Sequence, residues 1–244
     1  MAKLTSRTGT KQHRVVSPKA WVAARKTLLI EEKKLMRLHD RLKQKRRSLP
    51  WTAVKKDYVF DGPDGKVRLA ELFAGKRQLI VYHFMFGPDE AEGCPHCSFW
   101  ADHFDSARLH LPQRDTSLVV ISRAPLKKLA AFKRRMGWKF PWVSSGRTDF
   151  NYDFGVSFRP ADLAAGTAVY NYAKLGMDME DLPGVSTFYR SQGGIFHTYS
   201  TFSRGIDLLN GTYNFLDLTA KGRDEDPERA QAWVRYHDKY RQRK

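Results

Sequence analysis

Two cysteines separated by two residues are the side chains with the clearest chemistry in this 244-residue sequence. Cys94-Pro95-His96-Cys97 lies where a loop after a strongly apolar segment enters a predicted helix. The unpaired N–H groups and the positive dipole of a helix start stabilise a thiolate, which is the attacking form of cysteine. Cys97, three residues later, is within reach of the first sulfur and can resolve a mixed disulfide. The motif therefore predicts a reversible dithiol/disulfide couple that needs no cofactor.

The two residues between the cysteines are predicted to tune this couple. Pro95 has no N–H to leave unsatisfied, and its fixed φ suits the first turn of a helix. His96 can add a hydrogen-bond donor or a positive charge beside the sulfur when it is protonated. The predicted catalytic residues are therefore Cys94, Pro95, His96 and Cys97.

Other roles for the cysteines remain open at this point. A structural disulfide between them would constrain little chain. A zinc site would need further ligands, which scattered histidines could supply: His83, His103, His110 and His197. Covalent haem attachment is excluded because Cys97 is followed by Ser98 and not by histidine. The redox couple is the favoured interpretation, and no metal is expected.

The segments around the motif predict alternating strands and helices. Residues 78–86 are nearly all apolar, as in a central strand covered on both faces, and residues 117–122 predict a second such strand. A helix over residues 95–111 between them implies a right-handed parallel crossover. The remaining predicted elements are a hairpin over residues 58–68, helices over 69–74 and 125–136, a hairpin over 185–201 and a final helix over 227–240.

Positive charge is concentrated at the N-terminal end of the chain. The net charge is +17, and residues 1–56 hold 17 of the 43 Lys and Arg but only 3 of the 26 Asp and Glu. We predict a flexible basic arm over residues 1–16 and a long amphipathic basic helix over 17–50, with the main domain over 51–244. The basic face of the helix is expected to be solvated and not to bind nucleic acid, because aromatic residues are not interleaved with the basic ones.

The apolar stripe of this helix contains residues spaced by seven: Trp21, Leu28, Leu35 and Leu42. Such a stripe can pack on the helix's own domain, which we favour, or pair with a second copy of the chain in a homodimer. No apolar run approaches the roughly 18 residues of a membrane helix, and the first residues contain no signal-peptide core. A cytoplasmic location without a membrane partner is therefore expected.

The strand, the helix start with both cysteines, the crossover and the closing hairpin together resemble a thioredoxin-like arrangement. The hairpin over residues 58–68 resembles the N-terminal addition of peroxiredoxin-type domains. More specifically, the chain resembles a bacterial family of unknown function described as predicted dithiol-disulfide oxidoreductases. The matching segments include Tyr82-His83-Phe84-Met85-Phe86, Gly93-Cys94-Pro95-His96-Cys97-Ser98-Phe99-Trp100, Ser122-Arg123-Ala124-Pro125, Asp149-Phe150-Asn151-Tyr152-Asp153-Phe154-Gly155, His197-Thr198-Tyr199-Ser200-Thr201 and Gly222-Arg223-Asp224-Glu225.

This resemblance implies an α/β fold: a thioredoxin-like three-layer sandwich with a peroxiredoxin-like N-terminal β-hairpin and a long N-terminal helix. It also implies redox activity at Cys94 and Cys97 on a thiol or disulfide substrate, with an electron donor or acceptor as a second partner. The alternative function is a non-catalytic, redox-responsive binding protein that docks a partner or nucleic acid through the basic helix.

Thioredoxins place a cis-proline before the hairpin strand, opposite the cysteines, and the resemblance implies Ser186 or Thr187 at that place here. A narrower substrate or a peroxide-related role follows from this departure. We predict that these two residues and Trp100 contact substrate, although core packing is favoured for Trp100 and the other two tryptophans of this region, Trp138 and Trp142.

Further residues have less specific roles. The candidates for handling the Cys97 proton are acidic: Glu90, Glu92 and Asp102. Arg123 is expected to pair with a carboxylate. Residues 159–182 interrupt the usual order of elements and are predicted to form an insertion on the active-site side.

Overall fold

The computed structural model describes residues 13–240, and a mixed sheet of eight strands organises this part of the chain. Its strands are β1 (Thr52–Ala53), β2 (Val59–Gly62), β3 (Gly65–Arg68), β4 (Gln78–His83), β5 (Thr116–Ser122), β6 (Trp142–Ser144), β9 (Gly184–Ser191) and β10 (Gly194–Phe202). The spatial order is β1-β10-β9-β4-β5-β6-β2-β3. A separate small hairpin contains β7 (Val169–Tyr170) and β8 (Ala173–Lys174).

Helices precede, connect and follow these strands. They are α1 (Pro18–Arg47), α2 (Pro95–Ala101), α3 (Phe104–His110), α4 (Leu126–Arg135), α5 (Phe150–Asp153), α6 (Pro160–Ala164) and α7 (Gly211–Leu216), and short 3₁₀ turns occur at Glu71–Phe73, Leu111–Arg114, Ser203–Leu209, Pro227–Arg229 and His237–Lys239. Among the described residues, no helix is both long enough and apolar enough to cross a membrane.

The centre of the sheet has thioredoxin-like topology. Strands β4 and β5 are parallel neighbours, joined by the crossover through α2 and α3, and β9 and β10 add antiparallel strands on the other side of β4. Every residue of β5 is buried, as the apolar run in its sequence requires. The protein therefore has the thioredoxin-like α/β fold that the sequence predicted.

Buried side chains cover both faces of the sheet. One face packs with α2 and α4 around a largely aromatic core that includes Tyr82, Phe84, Trp100, Phe132, Trp138 and Trp142. The other face packs with the Glu71–Phe73 turn and α5, and its core includes Phe60, Phe73, Val81, Phe150 and Phe188. The three tryptophans are 3–5% exposed, which confirms the interpretation of Trp100, Trp138 and Trp142 as core residues.

Both predicted hairpins are present. In β2–β3 the tight turn ends at Gly65, whose φ of +120° suits glycine. In β9–β10 the corresponding residue is Gly194, with a φ of +115°.

Three predicted helices differ from the structure. The helix over residues 69–74 is a short 3₁₀ turn, Glu71–Phe73. The helix over residues 95–111 is divided into α2, α3 and a 3₁₀ turn, because the chain tightens at His103, whose N–H bonds the Trp100 carbonyl 3.1 Å away. The prediction of a final helix over residues 227–240 is wrong. Gln231 has a φ of +64°, which ends any helix there, and the side chains of Trp233 and Tyr236 bond distant groups instead of lining one helix face. Residues 225–240 form a strap across the end of α2.

The long N-terminal helix is present, but its predicted packing is wrong. Ser17 caps α1 by accepting a hydrogen bond from the Ala20 N–H. None of the residues of α1 is buried against the rest of the described chain, and the apolar stripe is about half exposed: Trp21 59%, Leu28 54%, Leu35 53% and Leu42 49%. One contact with the sheet is made by Arg46, whose guanidinium lies 4.7 Å from the centre of the Tyr199 ring. Pairing with a second copy stays a prediction, and the predicted flexible arm falls mostly outside the described residues.

Candidate functional site

Cys94 lies at the first turn of α2, where the chain returns from a loop after β4. Its N–H donates to the carbonyl of Met85, and its carbonyl accepts hydrogen bonds from the N–H and the hydroxyl of Ser98. Pro95 occupies the first helical position. The preceding Gly93 is tightly enclosed, since a Cβ there would lie 2.7 Å from a ring carbon of Phe84. These contacts fix the backbone on both sides of the first cysteine.

Cys97 lies one turn further into α2 and is only 2% exposed, whereas Cys94 is partly exposed. The N–H of Met85 points at the Cys97 sulfur, 3.4 Å away. An accessible sulfur is therefore followed by a buried one. This is the order that attack on a substrate and later internal resolution require.

The surroundings move the pKa values of the two thiols in opposite directions. A hydrogen bond from the Cys97 thiol is the largest cause that lowers the pKa of Cys94 to about 5, and His96 and the Cys97 N–H add to it against the effect of burial. Burial and the neighbouring Cys94 thiolate raise the pKa of Cys97. The reduced pair at neutral pH therefore holds one proton, which resides on the inner sulfur.

His96 is exposed and acts on the outer sulfur. Its hydrogen bond to the Cys94 thiolate is the largest cause that raises the pKa of His96. Each partner thus favours the charged form of the other.

The cysteines open into a cavity of about 740 Å³. One part of its wall is apolar, formed by Met85, Trp100, Met179, Leu182, Pro183 and Ile206. The other part carries polar groups from three places in the chain: Glu90, Glu92, Arg204, Asp207 and Gln231. The insertion over residues 159–182 thus supplies two apolar side chains to the site.

The predicted substrate-contact residues divide between this cavity and other places. Trp100 lines it, with its indole N–H held by the Ile206 carbonyl. Ser186 and Thr187 do not line it, so their placement opposite the cysteines is wrong. Ser186 points to the other face of the sheet, where its hydroxyl lies 2.9 Å from Nε2 of His83. The Thr187 hydroxyl is hydrogen-bonded to the Thr198 hydroxyl on the neighbouring strand β10.

Pro183 takes the place that the sequence analysis gave to Ser186 or Thr187. It lies directly before β9 and lines the cysteine cavity, and its carbonyl accepts a hydrogen bond from the Tyr170 hydroxyl. A proline directly before a predicted strand is the feature of the sequence that could have identified this position. The register of β9 places Ser186 and Thr187 further along the strand, beyond the site.

The three acidic candidates have different surroundings. Glu90 lines the cavity, accepts the Gly87 N–H, and has a pKa raised mainly by burial. Glu92 also lines it and forms an ion pair with Arg135. Asp102 is directed elsewhere and accepts hydrogen bonds from Trp138 and His237. Glu90 is therefore the best placed of the three to exchange a proton with the site.

Two tyrosines at the site were not among the residues predicted from the sequence. The Tyr82 hydroxyl lies beside Cys97, is buried, and has no hydrogen-bond partner within residues 13–240; burial is the main cause that raises its pKa. The Tyr236 hydroxyl donates to the carbonyl of Gly93 and so ties the strap to the residue before Cys94. The alternation of β4 places Tyr82 on the face toward α2 and could have revealed it, whereas no local signal marks Tyr236.

Arg123 pairs with a carboxylate, as predicted. Its Nε lies 2.8 Å from Oδ1 of Asp181, and the two side chains are only 11% and 12% exposed. This ion pair attaches the insertion to the end of β5. The four histidines considered as zinc ligands do not converge, and within residues 13–240 no group of three His, Cys, Asp or Glu side chains is arranged to hold a metal ion.

Fold and site together define a thioredoxin-like domain with a cysteine pair at the start of a helix. Residues 10–240 match the bacterial family described as proteins of unknown function (DUF899), and the chain belongs to that family. Its sequence matches no curated protein.

Several solved structures are similar in outline. Peroxidoxin BcpB of Mycobacterium tuberculosis is 19% identical, with 66% of this chain and 94% of that chain aligned and a TM-score of 0.44. Peroxiredoxin Q of Xanthomonas campestris (structure F4) is 15% identical, with 72% and 99% aligned and a TM-score of 0.47. The mitochondrial 2-cys peroxiredoxin of Plasmodium falciparum is 14% identical, with 68% and 92% aligned and a TM-score of 0.41.

Proposed function

We propose that the protein is a thiol-disulfide oxidoreductase in which Cys94 is the nucleophile and Cys97 the resolving residue. The observation that supports this proposal best is the arrangement of the two sulfurs, with Cys94 partly exposed in a cavity wall and Cys97 buried one turn further into α2. This arrangement lowers the pKa of Cys94 to about 5 and raises that of Cys97. A structural pair of thiols needs no such difference, whereas stepwise exchange requires a ready nucleophile and a protonated second thiol.

The reaction transfers two electrons from the protein dithiol to a substrate disulfide, so one disulfide bond is formed for each one that is broken. The Cys94 thiolate attacks one sulfur of a substrate disulfide, forms a mixed disulfide and releases the first substrate thiolate. Cys97 then loses its proton and attacks the sulfur of Cys94, which releases the second substrate thiolate. The Cys94–Cys97 disulfide is formed as the substrate disulfide is reduced to one thiol, which takes the Cys97 proton, and one thiolate. An external dithiol, itself oxidised to a disulfide, returns the protein to its reduced form.

Two neighbouring groups assist the second step. The hydroxyl of Tyr82, beside Cys97, keeps its proton at neutral pH because its pKa is raised, so it donates a hydrogen bond to the sulfur as charge develops there. The proton of Cys97 passes to the released substrate thiolate, and Glu90 in the cavity wall is the candidate group to carry it.

The reduction potential of the pair tests the proposal. Thioredoxin and DsbA combine cysteine pKa values of about 7 and 3.5 with potentials of about −270 and −120 mV. The pKa of Cys94 lies between these two, so the potential is expected to lie between those of thioredoxin and DsbA. We expect a reversible two-electron couple in this range when purified protein is equilibrated in glutathione buffers and free thiols are counted after acid trapping.

Two variants make this test specific. Cys94→Ser should lose all disulfide turnover, and Cys97→Ser should trap mixed disulfides. A protein without a reversible couple, or one in which Cys94→Ser leaves turnover intact, would overturn the proposed function.

A further inference from the structure

A second cavity, of about 550 Å³, lies away from the cysteines. It is enclosed by residues 52–56, the end of α5, strand β10 and the tip of the β7–β8 hairpin. Among the described residues, it has no lining residue in common with the cysteine cavity. The two cavities are therefore separate sites.

The floor of this cavity is a polar chain built into the sheet. Ser200 is 7% exposed, and its hydroxyl lies 2.7 Å from Nε2 of His197, which also lines the cavity. The same hydroxyl lies 2.8 Å from that of Ser186, which in turn lies 2.9 Å from Nε2 of His83. His83 is 1% exposed, and its Nδ1 has no partner within residues 13–240.

The protons of this chain can run in two directions. If His83 donates to Ser186, then Ser200 donates to Nε2 of His197; in the reverse order, His197 donates toward His83. In either order the Ser200 hydroxyl donates one hydrogen bond and accepts one within the chain, so its second lone pair can accept a hydrogen bond from a hydroxyl group in the cavity. The proposed thiol chemistry uses none of these groups.

The walls above this floor are aromatic. Phe154 stands edge-on to His197 with ring centres 5.3 Å apart, and Tyr172 and Phe202 also meet edge to face, with ring centres 5.7 Å apart. Tyr172 is 76% exposed and sits at the hairpin tip with a φ of +63°, a conformation that bulky residues rarely adopt. Its hydroxyl donates to the Ser200 carbonyl, 3.3 Å away, so the ring closes one side of the cavity.

Charge is uneven at the rim. Lys56 is held by Asp149 and Asp153, and the Tyr58 hydroxyl also donates to Asp153, so this group of charges is largely balanced. Lys55 lines the same cavity, is exposed, and makes no ion pair within the described part of the chain. The rim therefore offers one unbalanced positive charge across from the neutral polar floor.

From these contacts we infer that the cavity binds a small hydroxylated aromatic carboxylate. The ring lies against Phe154, Tyr172 and Phe202, the hydroxyl donates to the Ser200 oxygen beside His197, and the carboxylate faces Lys55. A two-ring compound with its two polar groups at opposite ends fits the arrangement of an aromatic middle between a polar floor and a cationic rim.

The test uses three matched probes with the full-length protein. 6-Hydroxy-2-naphthoate carries both groups, 2-naphthoate lacks the hydroxyl, and 2-naphthol lacks the carboxylate. We expect saturable one-to-one binding of the first by fluorescence titration. Loss of the hydroxyl should weaken binding by about tenfold, and loss of the carboxylate by about threefold, with the second difference shrinking at high salt.

Substitutions in the cavity test whether the probes bind there. Ser200→Ala should reduce the preference for the hydroxylated probe, and Lys55→Gln should reduce the preference for the carboxylate. Tyr172→Ala removes an exposed ring and leaves the core intact, so it should weaken all three probes even if Ser200→Ala folds poorly. Cys94→Ser is the control and should bind as the wild type does. Absence of saturable binding, or binding that Tyr172→Ala leaves unchanged, overturns the inference.

Discussion

Substitution of Cys97 by alanine or by serine tests the cause of the low Cys94 pKa. The hydrogen bond from the Cys97 thiol is the largest contribution that lowers this pKa. Alanine removes the donor, whereas serine keeps a donor at the same place. A hydrogen bond to a charged group contributes about 1.5–3 kcal/mol, which equals about 1–2 pKa units. We therefore expect a pKa of about 6–7 in Cys97→Ala, whereas Cys97→Ser keeps the value of about 5.

Both variants contain one thiol, since the chain has two cysteines, so alkylation by iodoacetamide followed by mass spectrometry reports Cys94 alone. At pH 5.5 the thiolate fraction should be about three quarters in Cys97→Ser and about 3–24% in Cys97→Ala. A thiolate of higher pKa is also intrinsically more nucleophilic, by about 3- to 10-fold here. The pKa must therefore be read from the midpoint of the whole rate profile. Coincident midpoints for alanine and serine would refute the assigned role of the Cys97 thiol.

Four further outcomes follow from the same contacts. His96→Ala should raise the Cys94 pKa and make the reduction potential more negative, because the hydrogen bond to the thiolate is lost; an unchanged alkylation profile would contradict this. Gly93→Ala should cost about 1–3 kcal/mol in urea unfolding, because the new Cβ would lie 2.7 Å from a buried phenylalanine ring, and unaltered stability would show that the ring can move. Asp181→Asn should cost about 3 kcal/mol by leaving the Arg123 charge nearly buried without its main partner, and a loss below about 1 kcal/mol would contradict that assignment. Between pH 7 and pH 4, the free energy of unfolding of the reduced wild-type protein should fall by about 3 kcal/mol more than that of Cys94→Ala. A folded-state pKa below the usual thiol value stabilises the fold only while the thiolate persists, and this contribution is lost as the pH falls through about 5. Parallel stability curves would argue against a depressed pKa.

The elements that carry strong local signals were predictable from the sequence. The continuous apolar runs identified β4 and β5, the glycine turns identified the hairpins, and Ser17 with Pro18 identified the start of α1. The cysteine motif at a helix start predicts a low pKa for Cys94; the groups that lower this pKa most are the side chains of Cys97 and His96, which the motif itself places beside the first sulfur.

Features that depend on distant partners were not predictable in this way. An apolar stripe shows that α1 has a face to cover, but the pattern is the same whether its own domain or another chain covers it. Residues such as Trp233 and Tyr236 have a spacing that a helix and an irregular strap satisfy equally, and the left-handed conformation of Gln231 decides between them. The placement of Pro183 beside the cysteines depends on the register of β9, which no local residue encodes.

The exposed helix α1 has a thermodynamic consequence. Its 30 residues extend over about 45 Å, and none of them is buried against the rest of the described chain. Most helical stability in proteins comes from packing, so opening of α1 is weakly coupled to unfolding of the sheet. A partner that covers the stripe would add its binding free energy to α1 alone. Recruitment through this helix and the potential of the Cys94–Cys97 couple can therefore change independently of each other.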